Sequence, residues 1–229
     1  MSKTDEIRDF LFANADEVFR SFNSRLIPTV NKSTVIGVKT PVVRAYAKKI
    51  SGSDLAKEFL SELPHGYLEE NNLHSFLLET IKNFDECIAL TEEFLPYIDN
   101  WATCDCFMPA VFKKNRAAMY DYAVKWMDSN AVYTVRYGIG VAMKLFTGEY
   151  FDMTLAEKIA GINTEEYYVH MMVAWYFATA LAKNYDSVIG FIKDKRLDKI
   201  THDKAIQKAL ESYRVSDEHK SVLRSLKIR

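Results

Sequence analysis

The sequence predicts an all-α protein built as a helical repeat solenoid, in which antiparallel helix pairs stack into a curved array with a concave cleft. Apolar residues recur with a 3.6-residue period along most of the 229 residues. Only five prolines and eight glycines interrupt the chain, and no convincing alternating strand appears. From about residue 71 the helices pair with a step of roughly 30–35 residues, which is typical of loose HEAT-like repeats. We expect one domain over residues 1–229.

The first helices follow from local signals. One long helical pattern, about residues 5–24, precedes the segment RLIPTVNKST. The Thr-Pro pair at 40–41 opens the helix VVRAYAKKI, and Gly52 stands just beyond its end. Ser53 or Asp54 caps LAKEFLSEL.

The remaining helices follow in the same way. Asp99 or Asn100 caps a continuous helix over WATCDCFMPAVFKK. Apolar periodicity predicts further helices at 117–127, 131–146, 155–160, 165–184, 187–193, 203–213 and 217–226.

Composition excludes several classes of protein. The charged N-terminus MSKTDEIRDF predicts no signal peptide, and no apolar stretch reaches the ~20 residues of a membrane span. Three cysteines form no disulfide framework, so we expect a cytoplasmic protein. Cys104-x-Cys106 with distant Cys87 lacks a zinc spacing, and no glycine-rich phosphate loop follows a strand. We therefore expect no metal and no cofactor.

Charge is distributed unevenly along the chain. The net charge is −1, but residues 1–110 hold 11 basic and 17 acidic side chains, and residues 111–229 hold 19 basic and 14 acidic. A polyanion should meet the second half first. The alternative is that the asymmetry reflects only solvated helix surface.

Trp101 and Asp105 are the first candidate site residues. They stand four residues apart, so they share one face of a helix. An aromatic plate beside a carboxylate would suit an open binding cleft. The alternative is a half-buried structural tryptophan, with Asp105 solvated or paired with Lys113.

Arg136 and Trp175 are the next candidates. Arg136 lies in the apolar helix AVYTVRYGIGVAMKLF, where Lys144 is the second charge. A buried arginine must reach a carboxylate, a carbonyl or an anion, so phosphate binding and a structural ion pair both fit. Trp175 lies in a helix that is apolar nearly all round, which fits core packing or a rim position on the concave face.

The C-terminal region is basic on several faces. It could line a phosphate track or serve as a soluble cap on the array. Its basic residues are His202, Lys204, Lys208, Arg214, Lys220, Arg224, Lys227 and Arg229.

Five stretches occur in the order of a known family. They are GVKTPVVRAYAKKI (37–50), DNWATCD (99–105), YTVRYGI (133–139), YYVHMMVAW (167–175) and HDKAIQKALES (202–212). On these motifs the chain resembles the AlkD-type alkylpurine DNA glycosylases of DNA alkylation repair from end to end. The resemblance implies hydrolysis of the N-glycosidic bond of cationic 3- or 7-methylpurines in duplex DNA, without base flipping.

The resemblance also implies roles for individual residues. Asp105 would stabilise the developing sugar cation, Trp101 and Trp175 would press on the backbone around the lesion, and Arg136 would hold a phosphate. These four residues would face the DNA-binding cleft. We expect the DNA-binding residues to include Arg136, Lys113, Lys144, Lys204 and Lys208.

Two departures from the family pattern leave a second hypothesis open. Active relatives carry two helices before the G-x-x-TP motif, where this sequence predicts one, and an arginine where this chain has Ala178. The alternative is therefore a catalytically inactive family member, a scaffold for nucleic acid or another ligand that lacks an N-terminal DNA-contacting helix. In either case we expect a monomer.

Overall fold

The computed structural model describes residues 3–228. Met1, Ser2 and Arg229, the last residue of the C-terminal basic run, lie outside the described residues. Within residues 3–228 the chain forms fifteen α-helices joined by turns and short 3-10 segments, with no strand. The predicted all-α class is confirmed. In the same part of the chain, no helix combines the length and the apolar character that a membrane crossing requires.

The chain folds as two compact units, the first ending at Asn115 and the second beginning at Arg116. The single domain over residues 1–229 stays a prediction. The described helices of the first unit are α1 (Lys3–Ala13), α2 (Glu17–Leu26), α3 (Thr40–Ile50), α4 (Asp54–Ser61), α5 (Leu68–Leu78), α6 (Phe84–Phe94), α7 (Trp101–Cys106) and α8 (Ala110–Lys114). Those of the second are α9 (Arg116–Met127), α10 (Val132–Leu145), α11 (Met153–Ala160), α12 (Tyr167–Lys183), α13 (Tyr185–Lys193), α14 (Lys199–Glu211) and α15 (Asp217–Ser225).

Alternate helices pack side by side within each unit. In the first, α5 packs against both α3 and α7, while α6 packs against α8. In the second, α12 packs against both α10 and α14, while α11 packs against α13. Each unit therefore has the two-layer order of a helical repeat array, in which successive helices alternate between layers.

The N-terminal segment forms two helices, so the prediction of one long helix is wrong. The pattern breaks at Asn14 and Ala15, and the Asp16 side chain caps α2 by accepting the Phe19 N–H at 2.9 Å. An aspartate cap satisfies backbone donors that a continuous helix would bond internally. Two helices therefore precede the motif at 37–41, and the predicted lack of an N-terminal helix is wrong.

The lack of a side chain at Gly37 allows α2 to pack closely against this segment of the first unit. Its φ is +98°, and a methyl group there would lie 2.5 Å from Arg20 Cβ, so a side chain would push α2 away.

The buried Glu69 carboxylate accepts the N–H groups of residues 36–38 at 2.9, 2.7 and 3.2 Å. Burial raises the pKa of Glu69, and these three donors oppose the shift.

The predicted continuous helix from residue 101 to 114 is also wrong. The chain is not helical from Phe107 to Pro109, which divides α7 from α8. Pro109 supplies no N–H and disfavours helical geometry at the residue before it. Of the two predicted caps of α7, Asn100 is the one that caps the helix, whereas Lys39 precedes the first turn of α3 without a side-chain cap.

Of the two glycines of α10, Gly138 allows close helix packing in the second unit. A methyl group at Gly138 would lie 2.9 Å from both the Ala123 carbonyl oxygen and the Met127 backbone nitrogen of α9. At Gly140 the nearest atom is Met172 Cε of α12, at 3.6 Å. The close approach at Gly138 is therefore made by α9, a neighbouring helix of the same unit.

Candidate nucleic-acid interface and active site

In the first unit, the beginning of α7 is fixed by a chain of hydrogen bonds. The Asn100 side chain accepts the Thr103 N–H at 2.9 Å and donates to Thr103 Oγ1 at 3.0 Å. Thr103 Oγ1 in turn donates to Asn72 Oδ1 of α5 at 2.9 Å. Both Asn100 and Thr103 are fully buried. Buried and satisfied polar networks of this kind make a single local geometry favourable.

Trp101 is the first residue of α7 and is half-buried. Its indole Nε1–H donates to the Leu26 carbonyl oxygen at the end of α2, at 3.1 Å. The ring packs on the buried cluster of Ile27, Val30, Val35 and Leu68. Trp101 therefore has the structural role that the sequence analysis considered. Part of its ring stays exposed to solvent, where a ligand can contact it.

Asp105 lies one helical turn after Trp101 and is partly exposed. The two side chains therefore share the face that their spacing predicts. Lys113 lies further along the same unit, on α8, and is exposed. The first unit thus presents an aromatic ring and a carboxylate from one rigidly capped helix.

In the second unit, Arg136 is buried in α10 and is only 5% exposed. Its Nη1 donates to the Tyr168 carbonyl oxygen of α12 at 2.5 Å. The guanidinium thus reaches a carbonyl, which is one of the partners expected for a buried arginine. Lys144 lies on the same helix, where it is exposed in the last turn.

Trp175 and Lys208 line one groove between α12 and α14, with a volume of about 410 Å³. Trp175 is 39% exposed, so it is not a buried core residue, and its position on the rim of a concave face stays a prediction. Lys204 lies one turn before Lys208 and contacts Gln207 at 3.4 Å. The other residues lining the groove are Ala178, Thr179, Ala182, Lys183, Glu211, Ser212, Tyr213 and Arg214.

Of the other cations of this groove, Lys183 was not predicted to bind DNA, and Arg214 was considered only as part of the C-terminal basic run. Lys183 follows Trp175 by eight residues and Thr179 by four, so the helical period places all three on one face of α12. Arg214 comes after the end of α14 and lies near the ring of Tyr213, which is 87% exposed. The groove thus combines aromatic surface with three cations and one carboxylate, Glu211, a set that suits a phosphodiester chain.

Comparison with known proteins assigns the family. The family model described as DNA alkylation repair enzyme matches residues 7–212. The chain belongs to this family. The match begins in α1 and ends just after α14, so it includes all eight predicted site residues. No curated protein matches the chain in sequence.

Membership of the DNA alkylation repair enzyme family supports a function of the DNA alkylation repair type and an interaction with DNA. Within residues 3–228, no group of three or more His, Cys, Asp or Glu side chains is placed to hold a metal ion. The described site residues themselves are a carboxylate, aromatic rings and cations.

Proposed function

We propose that the protein is a DNA glycosylase that hydrolyses the N-glycosidic bond of cationic alkylated purines, such as 3- or 7-methylpurines, in duplex DNA. The observation that carries the proposal is α7 itself. In a chain of the DNA alkylation repair enzyme family, this short helix is capped by a buried network and carries Trp101 and Asp105 one turn apart. As the sequence predicts, we expect a monomer that acts on DNA in the cytoplasm.

The chemistry follows from the charge of the damaged base. When the bond between the sugar C1′ and the base nitrogen breaks, its electron pair goes to the base, which leaves as a neutral purine. The sugar then carries oxocarbenium charge, which the Asp105 carboxylate stabilises. A water oxygen adds to C1′, and its proton passes to the carboxylate or to solvent. The resemblance to the AlkD-type family further implies that the base need not be flipped into a pocket.

The second unit supplies candidate DNA contacts. Trp175 and Lys208 share a groove with Lys183 and Arg214, so an aromatic face and cations lie within reach of one phosphodiester backbone. Lys204 lies on the same helix as Lys208, and Lys144 is exposed on α10. With Lys113 of the first unit, these cations would neutralise phosphates and make affinity depend on salt. Arg136 would hold a phosphate, as the sequence predicts. Its buried guanidinium lies next to α12, where Nη1 donates to the Tyr168 carbonyl oxygen.

A second candidate function is a non-catalytic family scaffold that binds nucleic acid. The observation in its favour is Ala178, which lines the groove beside Trp175 where active relatives are expected to carry an arginine. Losing one phosphate contact weakens binding but leaves the carboxylate in place. Because two N-terminal helices are present, the glycosylase is the better-supported proposal.

The deciding experiment measures release of 7-methylguanine and 3-methyladenine from methylated duplex DNA under single-turnover conditions. Asp105→Asn keeps the shape of the side chain and removes its charge, so we expect the rate to fall on the order of 100- to 1000-fold. The exposed Asp121→Asn, on α9, is the matched control and should keep the wild-type rate.

The outcomes of this experiment distinguish the glycosylase from the non-catalytic scaffold and test the role of Asp105. Wild-type protein that releases neither base at high concentration, yet binds the duplex, would establish the non-catalytic scaffold. An Asp105→Asn variant as active as the wild type would remove Asp105 from the chemistry.

A further inference from the structure

The end of α7 is held by an arginine from a neighbouring helix. Arg44, on α3, donates from Nη2 to the Cys106 carbonyl oxygen at 2.6 Å. The last carbonyl groups of a helix have no internal partner, so this bond satisfies a group at the very end of α7. Cys106 directly follows Asp105, and the bond therefore fixes the backbone next to the candidate catalytic carboxylate.

A glutamate completes the attachment. The second Arg44 nitrogen, Nη1, forms an ion pair with Glu79, the residue directly after the end of α5. The other Glu79 oxygen accepts the Met108 N–H at 2.9 Å. The pair thus holds two backbone groups, one residue and three residues after Asp105. Its members are part-buried, and the Arg44 guanidinium lies over the Phe76 ring at 3.8 Å.

The arrangement indicates that Arg44 is engaged within the protein. Its Nη1 binds the Glu79 carboxylate and its Nη2 binds the Cys106 carbonyl oxygen. The face of the guanidinium covers the Phe76 ring. The charge is balanced by Glu79, so the pair as a whole is a weak attractant for phosphate. Its planar fork suits simultaneous bonding to two acceptors, which a lysine ammonium satisfies less well.

We propose that Arg44 and Glu79 are positioning residues for Asp105, acting through the backbone at the end of α7. The proposal rests on the proposed glycosylase function. A carboxylate that stabilises a short-lived cation must be held close to its productive position, and a displacement of about 1 Å can lower a rate by roughly 100-fold. The buried network at Asn100 fixes one end of α7, and the Arg44–Glu79 pair fixes the other.

The kinetic test compares single-turnover base release with affinity for undamaged duplex. For Arg44→Ala we expect a rate up to roughly 100-fold lower, with affinity for the duplex within about twofold of wild type, since no phosphate contact is lost. Arg44→Lys, which is milder for folding, should give an intermediate rate. Lys48→Ala, one turn further along α3 and exposed, is the matched control and should leave both quantities unchanged.

A double variant distinguishes positioning from general damage. If Arg44 acts through Asp105, Arg44→Ala should have no further effect on the residual rate of Asp105→Asn. A further loss by the same factor as in the wild-type background would overturn the positioning role. So would a loss of duplex affinity in proportion to the rate, because that would mark Arg44 as a phosphate contact.

A structural measurement tests the pair without relying on activity. In Glu79→Ala, hydrogen exchange of the Met108 amide should be at least about tenfold faster than in wild type, because its acceptor is gone. The exposed Glu93→Ala on α6 should leave it unchanged. Unchanged exchange in Glu79→Ala would overturn the role of the pair. Wild-type protein without base release would overturn the proposed function, whereas an active wild type with an equally active Arg44→Ala would overturn the positioning role alone.

Discussion

Gly138 and Gly140 lie two residues apart on α10, and both are buried, yet the same substitution should have opposite effects at the two positions. A methyl group at Gly138 would approach backbone atoms of α9, the Ala123 carbonyl oxygen and the Met127 nitrogen, at 2.9 Å each. Backbone atoms cannot rotate away, so α9 and α10 must separate. At Gly140 the methyl group would meet only Met172 Cε, at 3.6 Å, which is ordinary van der Waals contact.

The magnitudes follow from helix propensity and packing. Replacing a mid-helix glycine by alanine stabilises a helix by about 0.5–1 kcal/mol, and this is the expected gain in the free energy of unfolding for Gly140→Ala. Overpacking costs about 1–3 kcal/mol, which exceeds the propensity gain at Gly138. We therefore expect Gly138→Ala to be the less stable variant, by roughly 1–3 kcal/mol.

Urea unfolding of the full chain, followed by circular dichroism, measures this difference directly. Gly140→Ala is the matched control because it makes the same chemical change on the same helix. If Gly138→Ala proved at least as stable as Gly140→Ala, the close approach of α9 would be refuted as the reason for glycine at 138.

Two further predictions concern a part-buried histidine pair and the groove of the second unit. His65 Nε2 lies 2.9 Å from His74 Nδ1, and burial lowers the pKa of His65 to about 4 and that of His74 well below its ordinary value. Because the unfolded chain takes up protons that the fold does not, the free energy of unfolding should fall as the pH drops from about 6.5 toward 4. In urea titrations His65→Gln should show a shallower fall, and a slope equal to that of wild type would contradict this explanation. For the groove, Lys208→Ala should lower the slope of log affinity against log salt by about 1. Fluorescence anisotropy with duplex DNA measures this slope, with the exposed Lys199→Ala on the same helix as control, and an unchanged slope would exclude a phosphate contact at Lys208.

The helices were predictable because their apolar period and caps are local properties of the sequence. The positions of α3, α4 and α9 to α15 agree with the predicted segments to within a few residues at each end. The shared face of Trp101 and Asp105 also follows from spacing alone. The exposure of Trp175 does not, because α12 is apolar nearly all round and its packing against α10, α13 and α14 decides which side remains open.

The breaks between helices were harder to predict than the helices themselves. Apolar periodicity continues across residues 14–16, so the pattern favours one helix, while the Asp16 cap and the close fit of Gly37 against Arg20 favour two. The Asp16 cap is visible in the sequence as an aspartate followed by Glu17 at a helix start. The fit of Gly37 against Arg20 is a contact between segments far apart in the chain, which no local pattern contains.

Pro109 illustrates how such a break can serve the site. A helix continuous from 101 to 114 would occupy the Cys106 carbonyl and the Met108 N–H in its own hydrogen bonds. Because the chain leaves helical geometry from Phe107 to Pro109, both groups become available, and Arg44 and Glu79 bind them. The proline thus ends α7 one residue after Asp105 and frees the backbone groups through which two other helices hold that end. On this reasoning the proline is the local cause, and the Arg44–Glu79 pair the long-range cause, of a fixed position for the candidate catalytic carboxylate.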